Sequence, residues 1–207
     1  VNSIGNDVVA LAGINPERTR QHRFCSKIIS SAEQDAYPAL QIYSFPFEHY
    51  VWLLWSVKES AYKFVKRLQP GLIFSPTKVI VQKLSHPAMG NYCGTVNCNG
   101  LVLRFRSEVT NTYIHTIVSY NAEFKHVHFG VAWIAQSDYA FQFAAVRQSA
   151  LYALSNLLPN TAITIRKHHT GYPEVWIGNE ALPMPLSFSH DGNYVAYACL
   201  KTNETSG

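Results

Sequence analysis

Between Phe47 and Arg67, the residues Phe47, Val51, Leu54, Trp55, Ala61, Tyr62 and Val65 recur at helical spacing. The run stops at Gln69-Pro70-Gly71, a strong breaker, so one long helix is predicted there. The text on either side has a different character. Ser3 to Leu11 reads as an opening strand, followed by a loop at Asn15-Pro16. Ser30-x-x-Glu33 reads as a capping box, in which the serine accepts from a helical N–H and the glutamate reaches back to another. From Thr77 to Tyr120 the sequence turns to β, with strands expected at Val79 to Val81, Tyr92 to Val96, Leu101 to Leu103 and Thr112 to Tyr120. Asn97-Cys98-Asn99-Gly100 supplies a turn, because Asn and Gly tolerate positive φ.

The pattern then restarts. Val127 to Ile134 reads as a strand. Ser137 can cap a helix running from Asp138 to about Leu158, with Phe141, Ala144, Ala145, Leu151 and Leu154 on its inner face. Short strands follow near Ile163, Glu174 to Ile177, Pro185 to Ser189 and Tyr194 to Leu200. Strand, helix, then several strands thus occurs twice, and no low-complexity linker intervenes. The expected fold class is α+β: two similar halves, 1–125 and 126–207, meeting near Glu123 to His126 and packed as an intramolecular pseudo-dimer.

Composition narrows the function classes. Of 207 residues, 47% are hydrophobic and only 14% charged, against about 25% in ordinary domains, which excludes a disordered chain. The net charge of +4 suits any anionic partner, but no basic run marks a nucleic-acid arm. No apolar stretch approaches the ~18 residues of a spanning helix. From Val1 onward there is no charged-then-apolar leader, and Cys25, Cys93, Cys98 and Cys199 form no C-x-x-C. A cytoplasmic protein with reduced thiols and no membrane association is expected.

Three segments carry chemistry. In Trp55-Ser56-Val57-Lys58-Glu59-Ser60-Ala61-Tyr62-Lys63, Glu59 and Lys63 are four apart and share a helical face, which spacing alone reads as a solvated ion pair. Asp7, in Gly5-Asn6-Asp7, is an acid inside an apolar strand, costly unless paired, hydrogen-bonded or metal-bound. Ser187-Phe188-Ser189-His190-Asp191-Gly192 places two hydroxyls and an imidazole at a strand end before a turn. Arg18, Arg20, Arg23 and Lys27 form a basic segment, either a solvated face or a docking surface for an acidic partner.

Together and in this order, the three segments resemble the 4′-phosphopantetheinyl transferase superfamily, and Arg18 through Phe24 with Lys27 to Ser30 and Glu33 looks like a segment of holo-acyl-carrier-protein synthases. The motif order resembles the short, usually trimeric synthases; the length and doubled pattern resemble the larger pseudo-dimeric type. The resemblance implies transfer of the 4′-phosphopantetheine arm of coenzyme A to a serine of an acidic apo carrier protein (acyl, peptidyl or aryl), as in fatty acid or polyketide biosynthesis, with release of 3′,5′-ADP. The doubled pattern lets one chain supply both sides of the site, so a monomer is expected. It implies that Asp7 and Glu59 hold Mg²⁺, that Lys63 contacts a pyrophosphate oxygen, and that Ser189 and His190 hold coenzyme A phosphates. Glu59 and Lys63 are then the catalytic pair, with Glu59 or a metal-bound water beside it as the base. Arg18, Arg23 and Lys27 would dock the carrier. Three positions depart from the pattern: Val9 stands where the larger type has a second acid, Asn6 where a β-branched residue is usual, and Tyr172 where Gly-Lys-Pro has its lysine, with Arg166, Lys167, His168 or His169 as substitutes. The rival readings are a non-catalytic relative that binds coenzyme A or a carrier, and a basic, aromatic-rich nucleic-acid-binding module.

Overall fold

All six residues of the first strand, β1 (Gly5–Ala10), are buried. Successive side chains on a strand point to opposite faces, so a strand buried throughout needs cover on both. In the computed structural model, which describes residues 3–41, 45–120 and 124–201, that cover comes from two directions.

One face of β1 lies on the long helix, which follows four short ones: α1 (Pro16–Arg20), α2 (His22–Cys25), α3 (Ser31–Ala36), α4 (Pro38–Gln41) and then α5 (Phe47–Leu68). The approach is close enough that a Cβ on Gly5 would sit 1.9 Å from the Ser60 carbonyl oxygen, so only glycine fits. Four further strands, β2 (Ile80–Ala88), β3 (Asn91–Cys98), β4 (Leu101–Val109) and β5 (Tyr113–Ser119), complete an antiparallel sheet in the order β1-β5-β4-β3-β2. The turn between β3 and β4 uses Asn99 and Gly100 at φ +50° and +83°, as the Asn-Gly signal requires. Val51, Leu54, Val57, Phe64 and Val65 of α5 pack with Val96, Leu103, Phe105, Ile114 and Val118 of this sheet to form the main core.

The other face of β1 meets the rest of the chain. β6 (Val127–Trp133), β10 (Leu186–Asp191) and β11 (Tyr194–Leu200) form a sheet in the order β10-β11-β6, and β7 (Ile163–Lys167), β8 (Pro173–Ile177) and β9 (Glu180–Ala181) form another. Helix α6 (Tyr139–Leu157) packs Ala150 and Leu154 against Val175, Leu186 and Cys199. Ile4, just before β1, and Ile117 of β5 share a cluster with Val127 and Ala198. Strand–helix–strands therefore occurs twice, with one five-stranded sheet in the first half and two three-stranded sheets in the second. The expected boundary falls at the turn Phe124–His126, and Glu123 lies outside the described residues.

Two local expectations change. Asp138, not Ser137, caps α6, its Oδ1 accepting from the Phe141 N–H at 3.0 Å. The buried face of α6 is Gln142, Val146, Ala150 and Leu154, while Phe141 is 38% exposed. The capping box at Ser30 and Glu33 is present, and Glu33 does more than close it. Its Oε2 also lies 2.7 Å from the Nζ of Lys58, which is wholly buried, and its Oε1 accepts from the Val81 N–H at 2.9 Å. Lys58 Nζ donates further to the Ile28 carbonyl at 2.8 Å. This ion pair joins α3, α5 and β2 inside the core.

Removing one partner of such a pair leaves the other charge buried and uncompensated. Glu33→Ala is expected to cost about 3–5 kcal/mol of unfolding free energy in urea denaturation. A loss below about 1 kcal/mol, the range of exposed pairs, would mean that Lys58 finds other solvation.

Candidate functional site

Alternation along β1 points Asp7 toward α5, where Glu59 and Lys63 emerge one turn apart. The Lys63 ammonium lies 3.1 Å from Asp7 Oδ1 and 3.3 Å from Glu59 Oε1, and donates to the Asn6 carbonyl at 3.1 Å. The i,i+4 pair expected from spacing is thus present, but it is a shared one: each of its side chains is only 26% exposed, and a third charge joins it. Ser56 donates to the Asp7 carbonyl at 3.4 Å and fixes the strand against the helix.

Burial pushes the Asp7 carboxyl up to about 7, with Lys63 opposing and Glu59 reinforcing the rise. Burial acts to lower the Lys63 ammonium, but Asp7 and Glu59 outweigh it and hold Lys63 above its ordinary value. Two carboxylates facing one ammonium leave a net charge of −1 when both are ionised. Asp7 Oδ2 is buried and has no hydrogen-bond partner. An orphaned carboxylate oxygen beside a second carboxylate fits a hard divalent cation such as Mg²⁺, which takes one or two protein carboxylates and keeps several waters. Among the described residues, no three His, Cys, Asp or Glu side chains converge on a metal position, so the fit rests on this pair.

The third segment arrives from the second half. As the terminal strand of its sheet, β1 has an open edge, and β10 covers it. The Asn6 N–H donates to Ser187 Oγ at 3.1 Å, and the Ala10 N–H to Asp191 Oδ2 at 2.8 Å. This places Ser189 and His190 beside the α5 residues: Glu59, Lys63, Ser189 and His190 line one cleft of about 450 Å³. His190 packs edge-on against Tyr139, and burial lowers its pKa, helped by Lys63 and opposed by Asp191 and Glu59. A smaller cavity of about 340 Å³ is lined by Asp7, Trp52 and Trp55, with Glu59 and His190 as the wall shared by both.

The larger cleft is cationic. Lys63, Lys66, Arg67, Arg147 and Lys167 line it against a single acid, Glu59. Such a one-signed cleft concentrates polyanions. Lys66 and Arg67 lie one turn beyond Lys63 on α5, a spacing that could have singled them out; Arg147 on α6 carried no such signal. Arg67 is also a strut: it donates to the Pro173 and Leu186 carbonyls and lies 4.2 Å over the Tyr172 ring, while burial lowers it to about 10. Of the four candidates for the missing lysine, Lys167 lines the cleft, whereas Arg166 turns to the Gly178 carbonyl and the Trp176 ring. His168 stacks on Tyr172 at 4.2 Å.

The basic segment lies apart from this cluster. Arg18, Arg23 and Lys27 are exposed, and Arg20 is held by Glu48 through two hydrogen bonds of 3.0 and 3.1 Å. Arg18 lies 5.0 Å over Phe24, which packs against Trp52, so the segment adjoins the smaller cavity.

Because Asp7 holds its proton up to about 7 in the fold, against 3.8 ordinarily, the folded state binds more protons than the unfolded chain between those values. Its contribution to stability therefore falls as pH rises from about 4 to about 7. In protein freed of divalent cations, Asp7→Asn should gain on the wild type in unfolding free energy across that interval and level off above it. Parallel pH profiles for the two proteins would contradict a raised Asp7.

No helix among the described residues is long and apolar enough to cross a membrane. No curated protein and no solved structure matches the chain. A profile of the 4′-phosphopantetheinyl transferase superfamily matches residues 3–118, a span that holds Asp7, Glu59 and Lys63 and stops short of Ser189 and His190. That span is more than half of the 207 residues, and the chain belongs to the 4′-phosphopantetheinyl transferase superfamily, whose members are transferases acting on coenzyme A and carrier proteins.

Proposed function

We propose that this chain transfers the 4′-phosphopantetheine arm of coenzyme A to a serine of an acidic apo carrier protein and releases 3′,5′-ADP, as a holo-acyl-carrier-protein synthase. The observation that carries this reading is the convergence of Glu59 and Lys63 with Ser189 and His190 on one cationic cleft, beside the orphaned carboxylate oxygen of Asp7.

In this reading Asp7 and Glu59 hold Mg²⁺, which when bound neutralises charge on the pyrophosphate. The Lys63 ammonium contacts a pyrophosphate oxygen and offsets the charge that develops on the leaving ADP phosphate. Ser189 and His190 hold coenzyme A phosphates from the opposite wall, and Lys66, Arg147 and Lys167 add positive charge around them. The carrier serine oxygen bonds to the phosphorus of the phosphopantetheine arm as the bond from that phosphorus to the ADP oxygen breaks. Glu59, in the wall common to both cavities, takes the serine proton. Little covalent work falls to the protein, so positioning and charge neutralisation dominate.

The carrier approaches from the side of Arg18, Arg23 and Lys27, through the smaller cavity with Trp52 and Trp55. The two halves, 1–125 and 126–207, act as an intramolecular pseudo-dimer, and the active species is a monomer. A cytoplasmic setting accords with four cysteines that are all unpaired, three of them buried.

Incubation with coenzyme A, Mg²⁺ and a panel of apo-carriers of fatty acid, polyketide and peptide synthesis, read by intact mass, tests the assignment. At least one carrier should gain one phosphopantetheine, and Asp7→Ala or Glu59→Gln should each slow that gain by ~10²-fold or more. Coenzyme A binding without transfer to any carrier would favour the non-catalytic reading. Near-normal rates in either variant would remove that residue from the site.

A further inference from the structure

The Asn6 side chain faces away from the acidic cluster and is 0% exposed, and the residue bonds to both halves of the chain. Its main-chain oxygen accepts from Lys63 and its main-chain N–H donates to Ser187. Its side-chain Nδ2 lies 3.3 Å from Ser189 Oγ and 3.4 Å from His115 Nε2. The orientation of this amide follows from counting donors. Placed this way, both N–H groups are used and a single acceptor, Oδ1, is left without a partner. The reverse would bury two unpaired N–H groups, and orphaned buried N–H groups are the rarer case. His115 suits the role of acceptor, because burial, with Lys63 nearby, pushes it down to about 3 and keeps the ring neutral.

The consequence falls on Ser189. A hydroxyl has one proton and two lone pairs. With a lone pair of Ser189 Oγ taken by the Asn6 amide, its proton is turned away from β1, and Ser189 lines the cationic cleft. We propose that Asn6 is a positioning residue that sets the Ser189 hydroxyl as a donor into the cleft, and that coenzyme A phosphate recognition by the second half depends on it. The inference rests on the reading of that cleft as the coenzyme A site.

Binding of coenzyme A, measured by calorimetry in the presence of Mg²⁺, and transfer kinetics should be compared for wild type, Asn6→Val, Ser189→Ala and the double variant. Ser189→Ala loses a hydrogen bond to a charged phosphate and should weaken coenzyme A binding by roughly 10- to 100-fold. Asn6→Val keeps the hydroxyl but loses the neutral bond that orients it, so it should weaken binding by about 2- to 10-fold, with the loss in affinity rather than in kcat. The double variant should bind no more weakly than Ser189→Ala alone. Effects that multiply, or a fall in kcat with unchanged affinity, would overturn the role of Asn6 and leave the coenzyme A site standing. No binding by the wild type would overturn both. If the valine variant fails to fold, the Asn6 side-chain amide signals of the wild type decide: they should shift in NMR spectra as coenzyme A is added, and fixed signals at saturation would overturn the proposal.

Discussion

The close approach of β1 to α5 is the constraint on which the site depends. With the Gly5 Cα against the Ser60 carbonyl, the strand can be buried on both faces, and its alternation then distributes the chemistry. Asp7 reads out toward the helix and meets Lys63; Asn6, its neighbour, reads out toward β10 and meets Ser189. Any residue larger than glycine at position 5 would lift the strand from the helix and part the two walls of the cleft together.

The helix carries two adjacent charges with opposite fates. Lys58 turns inward and is fully buried against Glu33, while Glu59 turns out into the cleft. The inner pair is satisfied by fixed partners, including the Ile28 carbonyl and, through Glu33, the Val81 N–H. The outer group is incompletely satisfied: one ammonium serves two carboxylates, and Asp7 Oδ2 has no partner. A buried polar atom left in that condition carries a desolvation cost unless a ligand supplies the missing contact. In the proposed reading, rigidity beneath the helix and unspent bonding capacity above it serve a metal and a pyrophosphate.

Much of this was legible from local pattern. The helix from Phe47, the hairpin at Asn99-Gly100, the capping box at Ser30 and Glu33, and the pairing of Glu59 with Lys63 all rest on interactions within a few residues, and sequence encodes those directly. Most of what was not legible depends on distant partners. The sequence near Lys58 does not distinguish an inward from an outward lysine, because its carboxylate lies 25 positions away. Helix α6 is apolar around much of its circumference, so periodicity selected Phe141, whereas the fold buries Gln142, whose amide reaches the Gly192 carbonyl. Ser137 and Asp138 are both good caps, and only the point at which the backbone turns helical decides between them. Asn6 read as a departure from a β-branched position; its reason, Ser189, is 183 positions away.

The proposed reaction requires one site assembled within one chain, with Asp7, Glu59 and Lys63 from the first half and Ser189 and His190 from the second. Mixing a Glu59→Gln variant with a His190→Ala variant measures this directly through transfer to an apo-carrier. Each chain that owns its site is defective in every assembly, so the mixture should show no more activity than the two variants measured separately and added. Activity clearly above that sum would show that sites are shared between chains, and would contradict the single-chain account.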